Sequence, residues 1–194
     1  MWCRDIALSE EQIQVLVKNK AEGLKLGQLR AAENKRSGRQ RVMADYHRKG
    51  ELQFQNVSDK EFFVFGLGLY LCEGSKTRRR FIFTNSDPLV IKIMLRWLKT
   101  FYGFPLERMG LRVQIHEMHK RRENIIQNYW RKYLGFPTDH PVVVNYIHSL
   151  RKKVYDNYDS YYGVMHLRLL KGTVFSYRIQ GLIAGITSAL NMPA

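Results

Sequence analysis

The sequence predicts an α+β fold in which an antiparallel sheet is covered on one side by helices and its other face is polar, cationic and open. Three observations predict it. Residues 79–84, 110–116 and 163–170 alternate apolar with polar, the period of strands with one buried face, and a further strand falls near 142–148. Apolar residues recur at helical spacing between and around these segments. The alternation leaves Arg112, Gln114 and His116 opposite Leu111, Val113 and Ile115, and His166 and Arg168 opposite Met165, Leu167 and Leu169. From residue 58 the order is helix, strand, helix, strand, helix, strand, strand, helix, which reads as a layered fold with one core.

The elements follow from local signals. Ser9 and Gln12 form a capping box for a first helix. That helix soon turns polar: from Lys18 to Lys49 there are 10 Lys/Arg, three acids and few large apolar residues. Residues 1–57 therefore read as a basic arm, partly helical, ordered on nucleic acid or else a solvated linker helix. The globular domain spans 58–194. Ser58 and Glu61 form a second capping box, for a helix over about 59–72. Phe81 and Phe83 share one face of the first strand. Asn85 and Ser86 shape a turn, and Asp87-Pro88 opens the next helix, acid as cap and proline at its first position. Leu89, Val90, Ile93, Met94, Trp97, Leu98 and Phe101 line that helix, which Gly103 ends. A basic amphipathic helix over about 120–134 turns Ile125, Ile126, Tyr129, Trp130 and Tyr133 inward and closes at Gly135. The last helix, about 173–190, carries Phe175, Ile179, Leu182, Ile183 and Ile186.

Composition narrows the partners. The chain is 45% hydrophobic and 12% aromatic, enough to build a core, with a net charge of +15. Such a surplus points to a polyanion, nucleic acid first and an anionic membrane surface second. No apolar run approaches the roughly 18 residues of a membrane span. Two cysteines, Cys3 and Cys72, make neither a disulfide framework nor a zinc site, so a reducing cytoplasm is expected. Residues 75–135 hold 14 Lys/Arg against four acids, two-thirds of the whole excess. They include Lys76, Arg78, Arg79 and Arg80.

That segment begins just after the most unusual stretch, Gly66–Gly74 (G-L-G-L-Y-L-C-E-G), an apolar helix ending in Glu73 and Gly74. A carboxylate there, beside a dense cationic surface, suits a metal ion facing phosphates. The stretch resembles the signature helix of LAGLIDADG homing endonucleases. Gly68 and Leu69 match the motif's central glycine and leucine, and Glu73 and Gly74 its terminal acid and glycine. Gly66 stands where the motif has leucine, and Leu71 where it has its first acid. A strand followed by T-N-S-D-P and an amphipathic helix, then V-Q-I-H-E and Y-W-R-K-Y-L-G-F-P, extends the likeness over about residues 58–190 to a bacterial LAGLIDADG-like group. Members of that group usually begin with a helix-turn-helix, so the likeness implies that residues 1–57 include the remnant of one.

The resemblance implies a LAGLIDADG homing-endonuclease-like fold and a homodimer in which two such helices pack through Gly68 and Cys72. It implies Mg²⁺ held by Glu73 and the Gly74 backbone with the scissile phosphates, and cleavage of both strands of a roughly palindromic duplex. Arg80, Arg112, Gln114, His166 and Arg168 would lie in the major groove as strand residues, with Lys76, Arg78, Arg79 and His116 as further DNA contacts. A non-catalytic DNA-binding regulator on the same scaffold is the alternative, and an RNA-binding maturase-like protein a third. His116-Glu117-Met118-His119 does not have the spacing of a helical zinc motif and reads better as a groove-facing or second-layer pair, His116 and Glu117. Tyr155, Tyr158, Tyr161 and Tyr162, near Arg151, Lys152 and Lys153, either stack on bases or pack their own loop.

Overall fold

The computed structural model describes residues 7–75, 79–149 and 156–190. The chain divides into two compact units, residues 1–57 and 58–194. In the first, helix α1 (Glu10–Gln53) runs unbroken and has no buried residue. The arm, expected to be only partly helical, is thus helical along nearly its whole length. Its Ala, Leu, Lys, Arg, Gln and Glu content favours this. The Ser9–Gln12 capping box closes its start, and Asp45 pairs with Arg48 at 3.0 Å and Lys49 at 2.6 Å one turn on.

The second unit has the expected element order: α2 (Asp59–Glu73), β1 (Ile82–Asn85), α3 (Pro88–Tyr102), β2 (Met109–His116), α4 (Glu123–Leu134), β3 (Val142–Ile147), β4 (Val164–Leu169) and α5 (Thr173–Ala189). Ser58 and Glu61 complete their capping box, and Asp87 accepts from the Leu89 N–H at 2.8 Å. Gly103 (φ 60°) and Gly135 (φ 75°) end α3 and α4 in the left-handed conformation, where a β-carbon would be strained.

The sheet has the order β1-β4-β2-β3. β1–β4 and β4–β2 are antiparallel, but β2 and β3 are parallel, so the sheet is mixed rather than antiparallel as expected. The reason lies between them: α4 crosses over the sheet and returns the chain to the end at which β2 began. One face of the sheet packs with α2, α3, α4 and α5 around a single core. Phe81, Phe83, Met109, Val113, Met165, Leu167, Trp97 and Trp130 are fully enclosed in it.

Two boundaries shift for identifiable reasons. β1 begins at Ile82, not residue 79, so Arg79 and Arg80 precede the strand. Their partner strand has ended there: the Leu170 N–H turns to the Arg108 carbonyl at 2.8 Å and Lys171 takes φ 54°. Residues 117–122 form a 3₁₀ segment, so α4 starts at Glu123. Its buried line is Ile126, Trp130 and Leu134, while Ile125, about 100° around from Ile126, is exposed.

The 3₁₀ segment anchors the loop ahead of β4. Arg122, only 8% exposed, donates to the carbonyls of Tyr158, Tyr161 (3.2 Å) and Asp159 (2.5 Å). Tyr158 stacks on His119 at 4.5 Å, and Tyr162 on Tyr129 at 3.6 Å and nearly parallel. These tyrosines pack their own loop; Tyr155 and residues 151–153 lie outside the described residues. Arg122→Met keeps the bulk but strands three carbonyls. It should lower unfolding free energy by about 3 kcal/mol, measured by urea denaturation.

Candidate nucleic-acid interface

Helix α2 is apolar nearly all round, yet it buries only one side. Gly66, Leu67 and Tyr70 face the core. Gly66 lies against Trp97, whose Cδ1 would stand 2.1 Å from a β-carbon at that position. Gly74 is equally constrained: its N–H donates to the Tyr70 carbonyl at 2.8 Å, and a β-carbon would stand 2.4 Å from that same oxygen. Gly68 differs, with nothing of the chain within 4 Å of its β-carbon position. It sits on an exposed face with Val64, Phe65, Leu71 and Cys72. Helices that are apolar on every side are ordinarily buried.

Glu73, the last residue of α2, is exposed. It falls about 140° around the helix and about 7.5 Å along it from Gly68. That places it on the Gly66–Tyr70 side, beyond the end of the packed core. Among the described residues, no three His, Cys, Asp or Glu side chains converge on a common point. Lys76 and Arg78, which follow Glu73 in sequence, lie outside the described residues.

The sheet's second face carries the polar side chains that the strand period placed there. Across it, Ile82, Arg168 and Gly110 form one row; Thr84, His166, Arg112 and Val143 form the next; Gln114 pairs with Asn145, and His116 with Ile147. Four candidates thus come together on β2 and β4: Arg112, Gln114, His166 and Arg168. His166 is the hub. Its Nε2 lies 3.1 Å from the Gln114 amide oxygen and its Nδ1 2.9 Å from the Thr84 hydroxyl. The amide oxygen can only accept, so Nε2 holds the proton and Nδ1 accepts from Thr84.

The electrostatics agree with a neutral ring. Burial, then the positive charges of Arg112 and Arg168, hold His166 below the ordinary histidine range. Arg168 is itself pushed down by burial and by Arg112 and Arg80. Among the described residues no carboxylate lies in ion-pair range of these three arginines. Arg112 also keeps a buried Nε with no hydrogen-bond partner. A set of like charges without counter-charges raises the positive potential over that face.

The depressed histidine has a thermodynamic consequence. Unfolded, His166 binds its proton near pH 6.5; folded, it resists until lower pH. Its stabilising share is whole above pH 6.5 and is lost as pH falls toward the folded value. His166→Gln should therefore shrink the drop in urea midpoint between pH 7.5 and pH 5. An equal drop in both proteins would contradict the assignment.

The other candidates are engaged locally. His116 accepts from the Met118 N–H at 3.2 Å and donates to the Ser149 carbonyl at 3.0 Å, so it caps the 3₁₀ segment. Glu117 pairs with His148 at 2.5 Å, a partner that sequence spacing did not indicate because β3 delivers it. His119 turns inward instead and is 4% exposed. Thr84 and Asn145 were also missed: small polar residues carry no motif, and only the strand register brings them beside Gln114 and His166.

Among the described residues no helix is long and apolar enough to cross a membrane. No protein-family model, curated protein or solved structure matches the chain.

Proposed function

We propose that this protein binds double-stranded DNA as a homodimer and cleaves it as a Mg²⁺-dependent, site-specific endonuclease of the LAGLIDADG type. The observation that carries the reading is the exposed apolar face of α2 around Gly68, on the same helix whose last residue is Glu73. A second copy packed there covers Val64, Phe65 and Cys72 and gives Gly68 a reason to lack a side chain. The open sheet face, with Arg112 and Arg168 unpaired among the described residues and Gln114 and His166 between them, then lies toward the duplex, arginines to phosphate or guanine and Gln114 to a base edge.

The residues present fit Mg²⁺ as half a site. One carboxylate does not hold a hard cation by itself; two Glu73 carboxylates, the Gly74 carbonyls and the phosphates of the DNA make a sufficient oxygen set. When bound, the metal activates water and stabilises the leaving oxygen. The chain's own contribution is to hold Glu73 at the sheet-side end of a rigid helix, and to neutralise the DNA backbone nearby.

A non-catalytic regulator is the second reading, favoured by the single acid per chain where the motif has two. Incubating purified protein with a selected duplex, with and without Mg²⁺, decides between them while light scattering gives the mass. A dimer that cleaves only with Mg²⁺ supports the proposal. A dimer that binds without cutting supports the regulator, and a preference for structured RNA over duplex DNA defeats both.

A further inference from the structure

Where β2 begins, the open face of the sheet deepens into a cavity of about 500 Å³. Gly110 makes its floor: a β-carbon there would stand 3.2 Å from Leu170 Cδ2, so the absent side chain is what leaves room. Val143, Pro141 and Leu170 give it apolar walls, and the two arginines Arg112 and Arg168 also line it. Neither has a carboxylate in ion-pair range among the described residues. His140 is held in place by a 3.0 Å hydrogen bond to the Met109 carbonyl and by packing on Phe136 at 4.4 Å. It presents a fixed planar ring to the cavity. Glu107 and Asp139 also lie on the lining.

The size falls in the range of small-ligand sites, about 300–1,000 Å³, and the lining has their character, mostly apolar with a few convergent polar groups. Two unpaired guanidiniums ask for a phosphate, which the arginine fork grips bidentately. Apolar walls and a fixed ring ask for a flat heterocycle. The two carboxylates repel a second anionic group and accept from ring N–H or amino donors, which orients such a ligand. We propose that this cavity binds one nucleoside monophosphate unit, phosphate on Arg112 and Arg168 and base against Val143, Pro141 and His140. The unit comes from a free mononucleotide or from the unpaired end of a strand. The site requires neither a second copy of the chain nor Glu73.

Calorimetric titration of the full chain with 5′-dGMP, deoxyguanosine, inorganic phosphate and a 5′-phosphorylated single-stranded oligonucleotide tests the site. The mononucleotide should bind at least tenfold more tightly than either the nucleoside or phosphate. Val143→Trp, on an exposed edge position, should abolish that binding while leaving the thermal midpoint unchanged. Leu170→Trp fills the cavity from the opposite wall should the first variant misfold. An oligonucleotide tighter than dGMP, and sensitive to the same variants, identifies a strand end as the ligand; equal or weaker binding identifies the free nucleotide. Phosphate binding as tightly as dGMP, no binding at all, or binding that survives both tryptophan variants overturns the proposal. Nucleotide binding without DNA cleavage would defeat the nuclease reading alone.

Discussion

Glu73→Gln is expected to lower Mg²⁺-dependent cleavage of duplex DNA by about 10²–10³-fold, the scale on which losing one charge-stabilising group acts in an active site. Glutamine keeps the size of the side chain but removes the anion that a hard cation requires. Because Glu73 is exposed at the end of α2, the change should leave folding stability within about 0.5 kcal/mol of the parent. Affinity for the duplex in the absence of metal should also hold, since on the proposed reading Arg112 and Arg168 on the sheet, not Glu73, supply it. Single-turnover cleavage with matched binding curves checks all three. Cleavage that survives in the glutamine variant sinks the nuclease proposal, whatever the affinity.

The second large effect separates folding from assembly along one helix. Gly66→Ala drives a β-carbon into the Trp97 ring, which is fully buried and fixed by its Nε1–H donating to the Phe63 carbonyl at 3.0 Å. Neither the ring nor the backbone can yield cheaply, so about 3 kcal/mol of stability should be lost, read from urea unfolding. At Gly68, two residues on, a β-carbon meets nothing within 4 Å beyond its own helix backbone, so Gly68→Leu has open space to enter. It should fold normally, since leucine favours a helix more than the glycine it replaces, and yet sediment as a monomer. If Gly68→Leu stays dimeric, α2 is not the seam. If Gly66→Ala costs nothing, the packing of α2 on α3 is wrong.

Much of this architecture was legible because it rests on period and punctuation. Ser58, Asp87, Gly103 and Gly135 mark helix ends by local chemistry, and the alternation from Leu111 to His116 sorts core from open face without any knowledge of the partner strand. What resisted was non-local. The parallel pairing of β2 with β3 depends on where α4 carries the chain, and no local pattern in Val142–Ile147 encodes that direction. Ile125 was misplaced because a 3₁₀ segment precedes α4 and the buried line centres on Ile126 and Trp130. The arginines were visible as residues, but their lack of counter-charges was not, since it follows from the absence of acids on three strands at once. The cavity was invisible for the same reason: Gly110, Val143, His140 and Arg168 come from separate segments. Within Gly66–Gly74, spacing could not say which glycine serves the fold. Contact with Trp97 and Tyr70 assigns Gly66 and Gly74 to it and leaves Gly68 over.

On the proposed reading, a second copy of the chain completes a site of which Glu73 is half. The distance between the two Glu73 carboxylates in a crystal structure of the protein with duplex DNA and Ca²⁺ in place of Mg²⁺ tests it. The carboxylates should lie a few ångströms apart, sharing metal at the scissile phosphates, with α2 packed on its copy through Gly68. Two Glu73 side chains on opposite sides of the assembly, or a dimer formed through another surface, would contradict it.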